Sequence, residues 1–441
     1  MTNTRRTIEA MFVGCLAVGL LWVSAGQAVG QTGATLSDDE LNAANLQALR
    51  GKPGLDADRF HLSYALEPRR PANLEATIFH GAKGQLYLIF EQSGGIMLKV
   101  SEDAGRSWGE PRALVDHAGE RIRGNHVSLI RLKSGRLGLV YSTTSVPNGR
   151  SGRDGGTVFR VSDDETQSWS DPVVVERRFG ICCSGHALVL SGGRIVVPVF
   201  KWINYDATGA AEASSAASVS FSYVYVSDDE GETWTQSLSE LFVSHYRAAY
   251  DLEEPTVVEL QDGRLMMHLR SQLGRIYRSY SEDQGISWSR PEPLPIAGGY
   301  TPSMVRRIPS TGHLLMIWNQ VSRYEILTGG HRHRLSCAIS KDDGETWENF
   351  KNLESLDGVT EIKPPPTDRI EVLDMWDSYG YFQPQNAERY FRAPGVVRIC
   401  YPDVAFVGDE AIIVYDYGLG MFAEGVHSTK LRAIPLNWFT E

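Results

Sequence analysis

The sequence predicts an all-β chain closed into a six-bladed β-propeller, and two repeats that run in phase along it carry that expectation. The first is an octet of pattern Ser-x-Asp-x-Gly-x-Thr/Ser-Trp, an Asp box. It begins at Ser101, Ser162, Ser227, Ser281 and Ser340, at intervals of 54 to 65 residues, with Thr166 in the glycine place of the second copy. The second repeat is an apolar strand, a turn and another apolar strand ahead of each box, at 76–90, 127–141, 187–200, 255–269 and 302–318. A sixth copy, 402–415, has no box after it. Repeats of this period mark propellers and arrays.

Each part of the repeat has a physical reason. The box aspartate can accept hydrogen bonds from turn amides, the glycine supplies a positive φ, and the tryptophan packs between neighbouring sheets. A calcium loop of EF-hand type would need a terminal bidentate glutamate that the octet lacks. The upstream strands mix β-branched and apolar residues over six or seven positions, as strands near a propeller axis do. Six copies mean six blades. Since the last blade has no box hairpin, its outer strand is expected from residues 59–66.

Composition narrows the partners. The 441 residues include 43 glycines and 20 prolines, suited to short strands and tight turns. A formal charge of −11 argues against nucleic acid, whose binding needs clustered Lys and Arg. At the N-terminus, Arg5 and Arg6 precede an apolar run over 11–23 and then small residues, the pattern of a signal peptide. The expected organisation is a signal peptide over 1–28, a segment over 29–71 that contributes a closing strand, and the propeller over 72–441. The mature protein is then secreted or periplasmic, with no membrane insertion. Cys182, Cys183, Cys337 and Cys400 remain, and four cysteines allow three pairings. A metal site of two histidines and two glutamates would draw on four blades, which no sequence spacing encodes. No metal and no cofactor are expected.

Antiparallel topology projects residues onto faces. The turns between strands 1 and 2 and the boxes between strands 3 and 4 share one face, the bottom. Residues just before strand 1 or just after strand 2 lie on the top. The first column reads Glu75, His126, His186, Glu254, Thr301 and Tyr401, all polar or ionisable. The second reads Glu91, Ser142, Phe200, Arg270, Asn319 and Asp416. Polar groups that converge on a concavity build sites.

The stretch Glu254-Pro255-Thr256-Val257 to Arg270, with Arg278-Ser279-Tyr280-Ser281 beyond it, resembles bacterial exo-α-sialidases, and most of all their secreted sialidase-like relatives. The resemblance covers roughly residues 72 to 438. It implies a tyrosine nucleophile activated by a glutamate, three arginines that grip a substrate carboxylate, and an aspartate acid/base in the first blade. Glu254 matches the glutamate, Arg270 the second arginine, Arg332 the third, and Tyr401 stands at the nucleophile position. Two parts are missing. Glu75 occupies the place of the first arginine, where a carboxylate would repel an anionic sugar. The loop that should hold the aspartate is Gln92-Ser93-Gly94-Gly95, so Asp154 or His126 is left to protonate the leaving oxygen.

These residues imply a retaining glycoside hydrolase of sialidase type acting on an extracellular glycan, at a terminal acidic sugar. A polysaccharide lyase that acts on a uronate through His126, His186, Tyr246, Arg247 and Arg270 is the alternative. A propeller that binds a glycan without turnover is the third reading. Between Trp347 and Tyr401 lies a long insertion with Pro364-Pro365-Pro366 and the rings of Trp376, Tyr379, Tyr381, Phe382, Tyr390 and Phe391. By parity it crosses the top face, as a lid or as a brace for the last blade.

Overall fold

The computed structural model describes residues 60–62, 75–143, 156–177, 182, 185–204, 218–245, 248–250, 252–271, 273–321, 332, 334–355, 397–419 and 426–441. It forms six four-stranded antiparallel sheets, each a blade of the propeller. Blade 1 runs Thr77–His80, Leu86–Gln92, Gly95–Ser101 and Arg112–Ala113. Blade 2 runs Asn125–Arg131, Leu137–Thr143, Gly156–Ser162 and Val173–Glu176. Blade 3 starts with the two-residue strand Leu188–Val189, shorter than the sequence pattern suggests, then Ile195–Asn204, Ser218–Ser227 and Thr235–Gln236. Blades 4 and 5 span Leu252–Glu259 to Glu292–Ala297 and Met304–Arg307 to Glu348–Ser355.

Blade 6 holds Val397–Val407, Glu410–Leu419 and Val426–Pro435, and its fourth strand is Phe60–Leu62, paired in the register Phe60↔Arg432. A strand from before blade 1 thus completes the last sheet by pairing with the edge of Val426–Pro435. A small ribbon, Val243–His245 with Ala248–Tyr250, lies outside the repeat.

Six apolar clusters account for the closure, one at each boundary between blades. Tyr87, Ile89 and Leu98 of blade 1 pack with Leu129, Leu139 and Trp169 of blade 2, and the same arrangement recurs around the ring. Each box tryptophan packs at the boundary with the preceding blade: Trp108 against blade 6, Trp169 against blade 1, Trp234 against blade 2, Trp288 against blade 3 and Trp347 against blade 4. Blade 6 has no box, and here Trp438 and Phe439, from the short 3-10 turn Leu436–Phe439 after the last strand, fill the boundary with blade 5.

The boxes satisfy themselves locally. In the first, the Gly105 amide donates to Ser101 Oγ at 2.8 Å and the Ser107 amide to Asp103 Oδ1 at 2.8 Å. The Ser107 hydroxyl closes on Asp103 Oδ2 at 2.6 Å. The aspartates of the other four boxes repeat these bonds. Boxes also latch neighbouring blades. The Ala82, Ser134 and Gln261 amides, in strand 1–2 turns, donate to Glu165, Glu230 and Asp343 of the next blade's box at 2.8, 2.7 and 2.7 Å. Turns and boxes therefore share a face, as parity requires.

Cys182, Cys337 and Cys400 are buried free thiols. Among the described residues no helix is long and apolar enough to cross a membrane. The insertion that holds Trp376 to Phe391, the leader and Cys183 lie outside the described residues.

Candidate active site

The residues ahead of the inner strands meet at the top of the axis, and the backbone that presents them is unusual. His126, Glu254 and Tyr401 have φ of 51°, 45° and 53°, the left-handed region. Each lies in a register shift of its sheet, between Asn125 and Ser128, Glu253 and Thr256, and Cys400 and Asp403. A bulge with a left-handed residue re-aims one side chain out of the alternating pattern. For a residue with a Cβ it costs about 1–2 kcal/mol. Three such positions, in blades 2, 4 and 6, are strain kept where geometry is needed.

Two dyads result. The Tyr401 hydroxyl donates to Glu254 Oε1 at 2.9 Å. His126 Nδ1 lies 2.7 Å from Glu75 Oε2. Of the six residues in the column, only Tyr401 and His126 are part-exposed, while Glu75, His186, Glu254 and Thr301 are buried behind them. An incoming molecule meets a phenol and an imidazole, each backed by a carboxylate.

Their neighbours set the charge. Arg270 Nη1 lies 2.5 Å from Glu254 Oε2, its Nε is 3.6 Å from Glu253, and its guanidinium covers the Tyr300 ring at 3.6 Å. The Arg332 guanidinium stands 5.4 Å from the centre of the Tyr401 ring and donates to Cys400 Sγ at 3.3 Å. His186 Nδ1 bonds the Pro255 carbonyl at 2.9 Å, tying blade 3 to blade 4 beside Glu254. Burial pushes the Glu254 carboxyl up against the pull of Arg270, and the charges of Glu253 and Glu75 push the same way. Burial, then the Glu254 charge, holds the Tyr401 phenol well above its usual range. Burial alone would lower His126, but the charge and hydrogen bond of Glu75 outweigh it and raise the imidazole's pKa. For His186, burial and the Arg306 charge win, and its pKa falls to about 4. One imidazole is poised to carry a proton and the other is a neutral brace.

The structure thus brings together Glu75, His126, His186, Glu254, Arg270, Arg332 and Tyr401. Asp154, Tyr246 and Arg247 lie outside the described residues. Glu91 turns away, its carboxylate capping the Gly94 amide of its own turn. Tyr300 and Glu253 are members that the sequence columns passed over, because each sits one position from a counted residue and on no repeat-specified place. Among the described residues no group of three or more His, Cys, Asp or Glu is arranged to hold a metal ion.

Fold and boxes define the class: a six-bladed Asp-box propeller with a polar cluster at the top of its axis. The chain belongs to the BNR repeat-like domain family, whose model matches residues 91–410. Over 146 residues it is 30% identical to the anhydrosialidase of Macrobdella decora, a match spanning 31% of this chain and 16% of that protein. Solved structures share the fold at low identity. A Dyadobacter fermentans protein of unknown function superposes with a TM-score of 0.56 at 14% identity, over 86% of this chain and 99% of that one. The NanB sialidase of Streptococcus pneumoniae gives 0.53 at 12%, over 86% and 71%. Trypanosoma rangeli sialidase gives 0.51 at 14%, over 83% and 55%.

Proposed function

We propose that the protein is a sialidase-type glycoside hydrolase, exported from the cell, that removes a terminal sugar from an extracellular glycan with retention. The observation that carries this reading is the Tyr401–Glu254 dyad at 2.9 Å, part-exposed at the phenol and braced from behind by Arg270. A phenol held well above its normal pKa does not stand ionised, so its proton must leave as it attacks. In the first step Tyr401 Oη bonds the anomeric carbon and its proton passes to Glu254. The bond to the aglycone breaks, and the aglycone oxygen takes a proton from the His126 imidazolium, whose Nδ1 side is held by Glu75. In the second step a water gives a proton to His126 and bonds the anomeric carbon. The aryl ether breaks and Glu254 returns the proton to Tyr401.

A lyase would need Tyr401 or a histidine to start as a base. The raised pKa of the phenol and the raised pKa of His126 both oppose that role, and His186 is buried with its Nδ1 bonded to the Pro255 carbonyl. The terminal sugar is taken as acidic on account of Arg332, with Glu75 as the group that limits how tightly a carboxylate is held. The test is a panel of glycans and aryl glycosides assayed for free monosaccharide and for unsaturated uronate. Free sugar of retained configuration supports the reading. Unsaturated product would replace it with the lyase, and binding without turnover with a lectin-like propeller.

A further inference from the structure

Below the ring of ionisable side chains, one buried aspartate joins strands of several blades. Asp403 lies two residues past Tyr401, just beyond the bulge that aims the tyrosine. Its Oδ2 accepts a hydrogen bond from Thr77 Oγ1 and another from the Ile78 amide at 3.1 Å, both in blade 1 just after Glu75. Its Oδ1 is 3.4 Å from the guanidinium of Arg306 in blade 5. Arg306 also donates to the carbonyl of Gly185, the residue before His186. The Gly185 amide donates in turn to the carbonyl of Val127, the residue after His126, at 3.0 Å. Glu75, His126, His186 and Tyr401 are each within two residues of this network.

The approach is close enough to exclude a side chain. A Cβ on Gly185 would fall 2.6 Å from Asp403 Oδ2 and 3.0 Å from Thr77 Oγ1, at a φ of +75°. The network borders an open chamber of about 320 Å³ lined by apolar Ile78, Leu129 and Val404 and by the charged Arg131, Arg306 and Asp403. At this level the inner strands of blades 1, 5 and 6 are joined by these polar bonds. A buried carboxylate is costly unless paired, and Asp403 is paired with Thr77, the Ile78 amide and Arg306.

We infer that Asp403, with Thr77 and Arg306, is a positioning clasp that sets the separation of Tyr401 from Glu254 and of both from the Glu75–His126 pair. The inference rests on geometry and does not depend on the substrate.

The experiment places 3-fluorotyrosine at position 401 of the full chain by amber suppression and follows its ¹⁹F resonance, with Glu254→Gln as the reference for a phenol released from its carboxylate. Thr77→Val and Asp403→Asn should move the resonance towards that reference while the protein stays folded, and Thr77→Ser should restore it. Asp342→Ala, in a box on the opposite face, should leave it in place. On any aryl glycoside that the wild type cleaves, Thr77→Val should lower kcat on the order of 10-fold to 100-fold with KM within about twofold, the signature of misplacement. If Asp403→Asn does not fold, Thr77→Val, which removes one hydroxyl, decides. An unmoved resonance in folded Thr77→Val protein overturns the clasp. Should the wild type cleave no glycoside, the hydrolase reading falls and the resonance still decides this one.

Discussion

Left-handed backbone occurs on both faces of this propeller, and the two faces satisfy it differently. In every box two successive residues have positive φ, from Ala104 at 59° and Gly105 at 85° to Asp343 at 56° and Gly344 at 90°. The turn itself is satisfied locally, because the box serine and aspartate bond amides and hydroxyls no more than four residues away, and the side chains of Glu165, Glu230 and Asp343 only add a latch to the neighbouring turn. At the top, His126, Glu254 and Tyr401 adopt the same conformation, and their side-chain partners lie in other blades. Tyr401 reaches Glu254, 147 residues away in sequence, and His126 reaches Glu75, 51 away. Strain answered within eight residues makes a turn. Strain answered only by other blades makes a site.

Four measurements test that contrast. The largest effect is expected at Tyr401. Tyr401→Phe keeps the ring and removes the hydroxyl, so kcat on a cleaved glycoside should fall on the order of 10³-fold or more, with KM nearly unchanged. Near-normal turnover in steady-state assays would remove the tyrosine from the mechanism. Next, His126→Gln should cost on the order of 10²-fold in kcat. It should also erase the basic limb of the pH–rate profile. Since Glu75 raises the His126 pKa, wild-type activity should persist above the usual histidine range and decline as pH rises through the raised value.

The third effect is on stability. His186 and His268 are buried and neutral, with pKa values lowered by burial to about 4 and about 3. Above the unfolded value of about 6.5 both states are neutral and the contribution is complete. As pH falls below it, only the unfolded chain takes up these protons, at about 1.4 kcal/mol per pH unit for each histidine. Tm should therefore drop between about pH 6.5 and pH 4, and His268→Phe should flatten the slope. A flat Tm over that window would mean that both imidazoles protonate freely in the fold. The smallest effect belongs to the box face. Gly105→Ala has room, with its nearest neighbour 3.5 Å from the added carbon, so only the backbone at +85° is penalised. Denaturant unfolding should show a loss of about 1 kcal/mol, with kcat untouched.

Much of the architecture could be read from the chain alone. Five boxes and six strand pairs specify blade number, turn geometry and the face each residue occupies, because every copy carries its hydrogen-bond partners and its tryptophan within one octet. The polar column from Glu75 to Tyr401 followed from the same counting. Less visible was how the last boundary is filled. Trp438 and Phe439 follow no repeat, and only the packed structure places them where a sixth box tryptophan would sit.

What tertiary structure alone decided concerns pairs far apart in sequence. Nothing in the local pattern marks His126, Glu254 or Tyr401 as left-handed, since neither glycine nor asparagine stands there. Nor does it show that Glu75 would take His126 as its partner, or that Tyr300 would lie under Arg270. The Asp403 clasp is the extreme case, joining residues 326 apart in the chain. Repeats encode what a few adjacent residues can settle through turn hydrogen bonds and alternating burial. A charge pair inside the ring has no such local signature, because its energy exists only once six sheets have closed and water has been excluded.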